Sequence, residues 1–472
     1  MKRILYIISG WCFLFLISCA YNITGNRVHA IQDERIAFPG AEGFGKYTRG
    51  GRGGKVMIVS NLNDAGEGSF RAAATSKVPR IIVFTVSGNI HLLSELKIAS
   101  DVTVAGQTAP GDGICLADYP VTLSGNNIIL RYMRIRMGDR YQNKGMINGA
   151  GADDAFGSLR RKNIIIDHCT MSWSTDEVCS VYAGDSTTLQ WNLISEPLNY
   201  SYHFETGDKD FEHHGYGGII GGLHTSFHHN LYAHCGSRTP RFNGIRHTPT
   251  EIVDFENNVI YNWSSNNVYG GEGGSYNIIN NYFKYGPSTN KSVKSRVVNP
   301  YKTSSIPYGK YFLAGNYVDG APDVSNNNWI GVTMNGGTEA DKAQSKMLMP
   351  FSAIDLPAQQ AKDTYELVLK NAGASFPKRD TLDERIIQDV KNRTGNLIDV
   401  QGGYPHGTAY EFTATAWPAL QSAPSSPDSD YDGMPDTWEK ANGLDAVTYN
   451  ANIHTLHKHY DNIEVYINSL IK

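Results

Sequence analysis

The feature that most narrows the fold is a short motif that returns through the middle of the chain. It consists of an apolar residue, two polar or aromatic residues, Asn or Cys, then two mainly apolar residues. It reads IDHCTM from Ile166, LQWNLI from Leu189, FHHNLY from Phe227, FENNVI from Phe255, INNYFK near Ile279 and LAGNYV from Leu313. Looser copies are LRYMRI from Leu130 and VTVAGQ from Val102. Successive copies from Ile166 onward lie 23 to 38 residues apart. A period of this size marks stacked units, none of which can bury its apolar face without its neighbours. Each unit is short, rich in β-branched or aromatic residues and bounded by Gly, Asn and Ser. No helical pattern intervenes, which argues against a TIM barrel or a doubly wound sheet. The recurrent Asn192, Asn230, Asn258, Asn281 and Asn316 fit turn residues in left-handed conformation whose amides hydrogen-bond to one another up a stack. The expected fold is all-β, a parallel β-helix. A β-sandwich is the alternative, but it calls for shorter, more even spacing and more Asn-Gly or Asp-Gly turns.

Composition agrees with a β-rich globular protein: 472 residues, 40% of them hydrophobic, with 48 Gly and 27 Tyr. With 42 Lys and Arg against 46 Asp and Glu, the net charge of -4 gives no global reason to expect nucleic acid or an anionic membrane as partner. The first residues read as an export address: Lys2 and Arg3, then a mostly apolar stretch from Ile4 to Ile17, too short to span a bilayer comfortably. The stretch ends Leu16-Ile17-Ser18-Cys19, a lipobox pattern, so residues 1–18 are expected to be removed and the Cys19 thiol acylated. The alternative is an ordinary signal peptide cut near Ala30. The membrane is then reached only through a lipid anchor on Cys19, and the protein is exported, anchored at the outer membrane or secreted. Cys115, Cys169, Cys179 and Cys235 remain, with no CxxC pair, so both a disulfide and buried free thiols stay open.

After about residue 340 the pattern changes. Residues 357–371 and 381–393 read as helices, the second with Thr381 and Glu384 spaced as a capping box. A Pro/Ser linker at 423–427 leads to an acidic module, giving expected segments 37–340 (β-helix), 341–422 (helical or irregular extension) and 428–472. The module opens DSDYDGMPDTWE, the spacing of an EF-hand calcium loop. Asp428, Asp430 and Asp432 would supply carboxylates, Met434 a backbone carbonyl, Asp436 a direct or water-mediated contact and Glu439 the bidentate closure, for a structural calcium. The alternative is a solvated acidic turn.

A second constellation is spread over the coils: Asp153-Asp154, Asp167-His168, Asp176-Glu177, Arg238 and Arg241. Stacking brings distant residues together, so the carboxylates of Asp153, Asp154, Asp176 and Glu177 can hold a hard, oxygen-ligated cation. Arginines opposite can grip a carboxylated substrate. Structural roles compete at each position: Asp167 and His168 as a corner pair, Arg238 as a salt-bridge partner.

The run AFPGAEGFGKYTRGGRGGKVMIVSNLNDAGEGSFRAA from Ala37, followed by RIIVFTVSGNI, VTVAGQTAPGDGI, ADDAFGS, IIIDHCTMSWSTDE and FHHNLYAHCGSRTPRF, resembles the pectate lyases of polysaccharide lyase family 1, nearest the bacterial trisaccharide-lyase type. The resemblance covers about residues 37–320. It implies a right-handed parallel β-helix and calcium-assisted β-elimination on polygalacturonate, the demethylated form of pectin, to 4,5-unsaturated oligogalacturonides. It places the family's base on Arg238 of SRTPR and, more loosely, a substrate arginine on Arg241. Asp154 matches a family calcium ligand; the partner two residues earlier is Ala152 here, for which Asp153 would compensate, and the later ligand pair falls at Asp176 and Glu177. The segment HFETGDKDFEHHGYGG from His203 departs from the family's shorter form: either Lys209 stands in place of its lysine, or the inserted acidic residues narrow the cleft and alter subsite preference. His168 completes the expected substrate contacts. A monomer is expected. The alternatives are a pectin lyase acting on methyl-esterified chains, or a non-catalytic pectin-binding lipoprotein on the same fold. No NTD-like motif of a polygalacturonase is present.

Overall fold

The structure is a computed structural model that describes residues 35–142, 151–354, 356–357 and 359–471. The leader and Cys19 lie outside the described residues. Each coil supplies up to three short strands, one to each of three parallel sheets. In one coil the strands are Ile219–Gly222 in sheet 1, Thr225–His228 in sheet 2 and Leu231–Ala233 in sheet 3. The next coil contributes Arg241–Phe242, Ile252–Glu256 and Val259–Tyr261 in the same order. Among the described residues every strand pairing is parallel, and sheet 3 contains nine strands. The fold is the right-handed parallel β-helix. The register carries the sequence repeat directly: Leu130 pairs with Ile166, Ile166 with Leu189, Leu189 with Phe227, and Phe227 with Phe255. These side chains are almost fully buried in one column, each burial contributing about 1.5–3 kcal/mol.

Between sheets 2 and 3 the chain turns in two residues, and here the asparagines form a continuous ladder. Asn192 donates to Asn230, Asn230 to Asn258, Asn258 to Asn281, Asn281 to Asn316 and Asn316 to Asn328, each through its main-chain N–H and its side-chain amide. The left-handed residue is the one before each ladder Asn, namely Trp191, His229, Asn257, Asn280 and Gly315. The bend occurs there, and the ladder residue keeps an ordinary backbone so that its amide lies along the stack.

Both ends of the stack are closed. The helix Phe70–Ala74 packs Phe70, Ala73 and Ala74 into the core, and Val324 and Trp329 do the same from the short helices Pro322–Asn326 and Asn328–Gly331. The helices Ala361–Asn371 and Thr381–Asn392 lie on the outer face of sheet 3, where Val368, Leu369, Ile386, Ile387 and Val390 meet Leu193, Leu231 and Val259. The N-cap of the second helix is Asp380, not Thr381; its carboxylate accepts from the Asp383 N–H and is fixed by Arg134 at 3.0 Å and Arg136 at 2.6 Å. The segment after residue 428 packs Met434, Ile463 and Ile467 against Val56, Ile81 and Val83 on sheet 2. Cys115, Cys169, Cys179 and Cys235 are buried free thiols. Among the described residues no helix is long and apolar enough to cross a membrane.

Candidate active site

The site forms where chain leaving sheet 3 enters sheet 1. Three stretches run side by side there: Glu177 bridges Tyr216, and Tyr216 bridges Ser237, all in parallel. Below them Asp176 N donates to Asp153 O at 3.1 Å. Residues more than eighty positions apart thereby share one groove. Close approach depends on Gly218, where an added Cβ would lie 1.9 Å from the Cys179 carbonyl oxygen; only hydrogen fits.

Asp154, Asp176 and Glu177 each present an oxygen within 4.8 Å of the others. Asp154 also accepts from the Glu177 N–H at 3.0 Å. Arg238 forms an ion pair with Glu177, lies over the Tyr216 ring at 4.6 Å and donates through Nε to the Tyr269 hydroxyl at 3.3 Å. Its backbone φ is 54°, a left-handed conformation uncommon for a side chain of this size. Desolvation, reinforced by the neighbouring Asp176 carboxylate, pushes Asp154 well above the usual carboxylate range. At Asp176 burial opposes ionisation, but the hydrogen bond and charge of His214, with His203 and Arg238, outweigh it and leave the carboxyl below its ordinary value. Three acids crowded this closely fit a hard divalent cation, since oxygen ligands and negative charge are what calcium takes.

Arg238, Asp154, Asp176 and Glu177 therefore converge as the sequence suggested, and four other candidates do not join them. Asp153 turns its carboxylate to Gln142, which donates at 2.6 Å. Arg241 is buried in an ion pair with Glu272 at 2.8 Å, so its charge is already matched. His168 belongs to the corner between sheets 2 and 3, bonded to Asp167 at 2.8 Å and stacked between Tyr132 and Trp191; it is the corner residue of the structural alternative. Lys209 is exposed on the loop between His203 and His214. Sequence reasoning missed His203, His214, Tyr216 and Tyr269. His214 and Tyr216 adjoin or sit within the GYGG run, which was the signal available, whereas Tyr269 is announced by nothing local. Arg246 was missed as well: it is exposed, and its Nε donates to Asn243 O at 2.9 Å.

In the C-terminal loop, Asp428, Asp430 and Asp432 lie within 4.8 Å of one another. Asp430 Oδ2 and Glu439 Oε2 are buried without a hydrogen-bond partner. Desolvation pushes Asp428 up to about 6 and Glu439 up to about 7, with the neighbouring acids adding to both. Like charges gathered without a counter-charge fit a bound cation. Asp436 instead spends both oxygens on Ser429, each at 2.8 Å. The Met434 side chain is core, and its N–H donates to Asp432 at 3.1 Å.

Comparison with known proteins decides the family. The chain is 35% identical over 449 residues to a probable pectate lyase C of Aspergillus flavus, covering 92% of this chain and 94% of that one. The chain belongs to the pectate lyase family. A probable pectate lyase C of Neosartorya fischeri is likewise 35% identical over 456 residues, at 92% and 94% coverage. Among solved structures, a pectate lyase bound to hexasaccharide matches with a TM-score of 0.48 and 13% identity, over 73% of this chain and 99% of that one. No protein-family model matches the sequence. As a member of the pectate lyase family the protein is a polysaccharide lyase, an enzyme.

Proposed function

We propose that the protein is an exported lyase that cleaves polygalacturonate by β-elimination, with Arg238 as the base that removes the C5 proton and Asp154, Asp176 and Glu177 as the ligands of a catalytic calcium. The observation that carries this reading is the convergence of Arg238 on three clustered carboxylates in one groove. A calcium ion held there would bind the uronate carboxylate and stabilise the negative charge that grows as the C5 proton leaves. Glu177 cannot give the same oxygen to a cation and to Arg238. When Glu177 turns toward Asp154 and Asp176, the Arg238 guanidinium loses its counter-charge and faces the groove, still positioned by Tyr216 and Tyr269. Arginine is ordinarily protonated, so proton abstraction is favoured by alkaline pH and by nearby positive charge. Exposed Arg246 is proposed to meet a neighbouring substrate carboxylate, the part expected of Arg241. Departure of the C4 oxygen leaves a 4,5-unsaturated uronide. The loop from Asp428 to Glu439 is proposed to hold a second, structural calcium.

The test is ultraviolet absorbance of polygalacturonate incubated with the purified protein at mildly alkaline pH, with calcium and with a chelator, beside methyl-esterified pectin. The conjugated double bond of the product is expected with polygalacturonate and calcium. Equal rates in the chelator, or a preference for the ester, would overturn the calcium-assisted reading.

A further inference from the structure

Beside the acid cluster stand two histidines that face Asp176 but take no direct part in the proposed proton transfer. The segments that carry them pair antiparallel: Glu212 N donates to His203 O at 3.1 Å and His214 N to Asn199 O at 2.8 Å. They form the two feet of the loop that bears Lys209. His214 Nε2 lies 2.5 Å from Asp176 Oδ1, and His203 Nε2 lies 3.9 Å from the same oxygen. The imidazoles stack face to face, centroids 3.8 Å apart and 9° from parallel. His203 is only 1% exposed, and neither of its ring nitrogens has a hydrogen-bond partner. A buried polar group left unmatched is unfavourable, and His203 has no partner to donate to.

Two imidazole nitrogens and one carboxylate oxygen make the ligand set of a borderline divalent ion such as Zn2+, whereas calcium takes oxygens. One ligand atom from each of Asp176, His203 and His214 falls within 4.8 Å of the others. We propose that Asp176, His203 and His214 form a second cation site, for a divalent ion of the Zn2+ class, sharing Asp176 with the acid cluster. Imidazole ligates in its own plane, so the two rings open from face to face when the ion enters, by way of the partly exposed Asp176 and His214. An ion held by both feet ties the Lys209 loop down at the edge of the groove.

The test uses the purified, chelator-treated full protein and Co2+ alone as a probe, whose visible band is intense in four- or five-coordinate nitrogen-oxygen sites. The wild type is expected to bind one equivalent with this band. His203→Gln and His214→Gln are each expected to weaken Co2+ binding at least ~10-fold, with the Ca2+ titration unchanged within about threefold, because the oxygen ligands stay. Circular dichroism checks folding, and His214→Gln, on the more exposed foot, keeps the test valid if His203→Gln fails to fold. Absence of the band in the wild type would overturn the proposal. So would a band that survives in both variants, which would assign it to Glu42, His228 and His229 or to surface histidines. A parallel loss of Ca2+ binding would also overturn it, by making the two sites one. Co2+ binding is read without turnover, so this result is independent of the lyase reaction.

Discussion

Replacing Asn230 by Ala is expected to cost about 3–4 kcal/mol, a figure assembled from single hydrogen bonds. Asn230 is fully buried. Its Oδ1 accepts from both the N–H and the Nδ2 of Asn192 at 2.9 Å, and its Nδ2 donates to Leu189 O, His228 O and Asn258 Oδ1 at 2.9, 3.0 and 3.1 Å. Alanine keeps the main-chain bond to Asn258 but leaves the Asn192 N–H without its acceptor, costing about 1–3 kcal/mol. The Asn192 amide retains Ile166 O at 3.1 Å, so its loss is partial. The void left by the missing amide adds roughly 1 kcal/mol. The assay is urea unfolding, read as the midpoint shift multiplied by the wild-type slope. The ladder makes a second demand. Asn230 and Asn258 share a hydrogen bond, so the double Ala variant should fall short of the summed single losses by about 0.5–3 kcal/mol. A single loss below about 1 kcal/mol, or strict additivity, would refute the view that the side chains act as one chain of bonds.

Arg238→Ala is expected to fold and to retain polygalacturonate binding while losing about 100-fold or more in turnover; unaltered turnover would remove it as the base. Asp154→Asn should weaken Ca2+ binding by titration calorimetry and shift the calcium dependence of activity upward, with no shift if Asp154 is a bystander. Burial pushes Glu251 up to about 8, against hydrogen bonds from Tyr276 and the Gly244 N–H. A raised carboxyl contributes stability that is complete below about pH 4.5 and is lost as pH rises through about 8. Glu251→Gln should therefore flatten the fall in unfolding midpoint across that window. Chelation is expected to lower the thermal midpoint in part through the C-terminal loop, and Asp430→Asn should reduce that response while sparing activity.

The repeat was legible because the ladder side chain of each coil serves the main chain of the coil before it, so the need for Asn recurs at a fixed place in the motif. The site was half legible. Arg238, Asp154, Asp176 and Glu177 meet because the coils stack, which the repeat already implied. Asp153 drops out because neighbouring residues in extended chain face opposite ways, so of two adjacent acids only one enters the groove. His168 sits at a different corner of the same coil, a matter of where each strand ends. Arg241 finds Glu272 31 residues later, a match set by coil length and invisible in a local motif. The displaced cap at Asp380 has a similar origin, since Arg134 and Arg136 arrive from sheet 3, nearly 250 residues earlier.

The ladder ends in a residue that belongs to no strand. Asn328 accepts from Asn316 as though another coil followed, yet its own amide bends back to the carbonyls of Asn316 and Val324. A stack of similar rungs is a template for its own continuation wherever an end is left uncovered. By returning the last amide to its own chain, the short helices at 322–331 take away the docking edge on which another molecule would seat. The length of the solenoid is thus written in a single turn, and a chain cut before Pro322 would present an open rung, inviting two such ends to pair while the helix at Phe70–Ala74 keeps the other end shut.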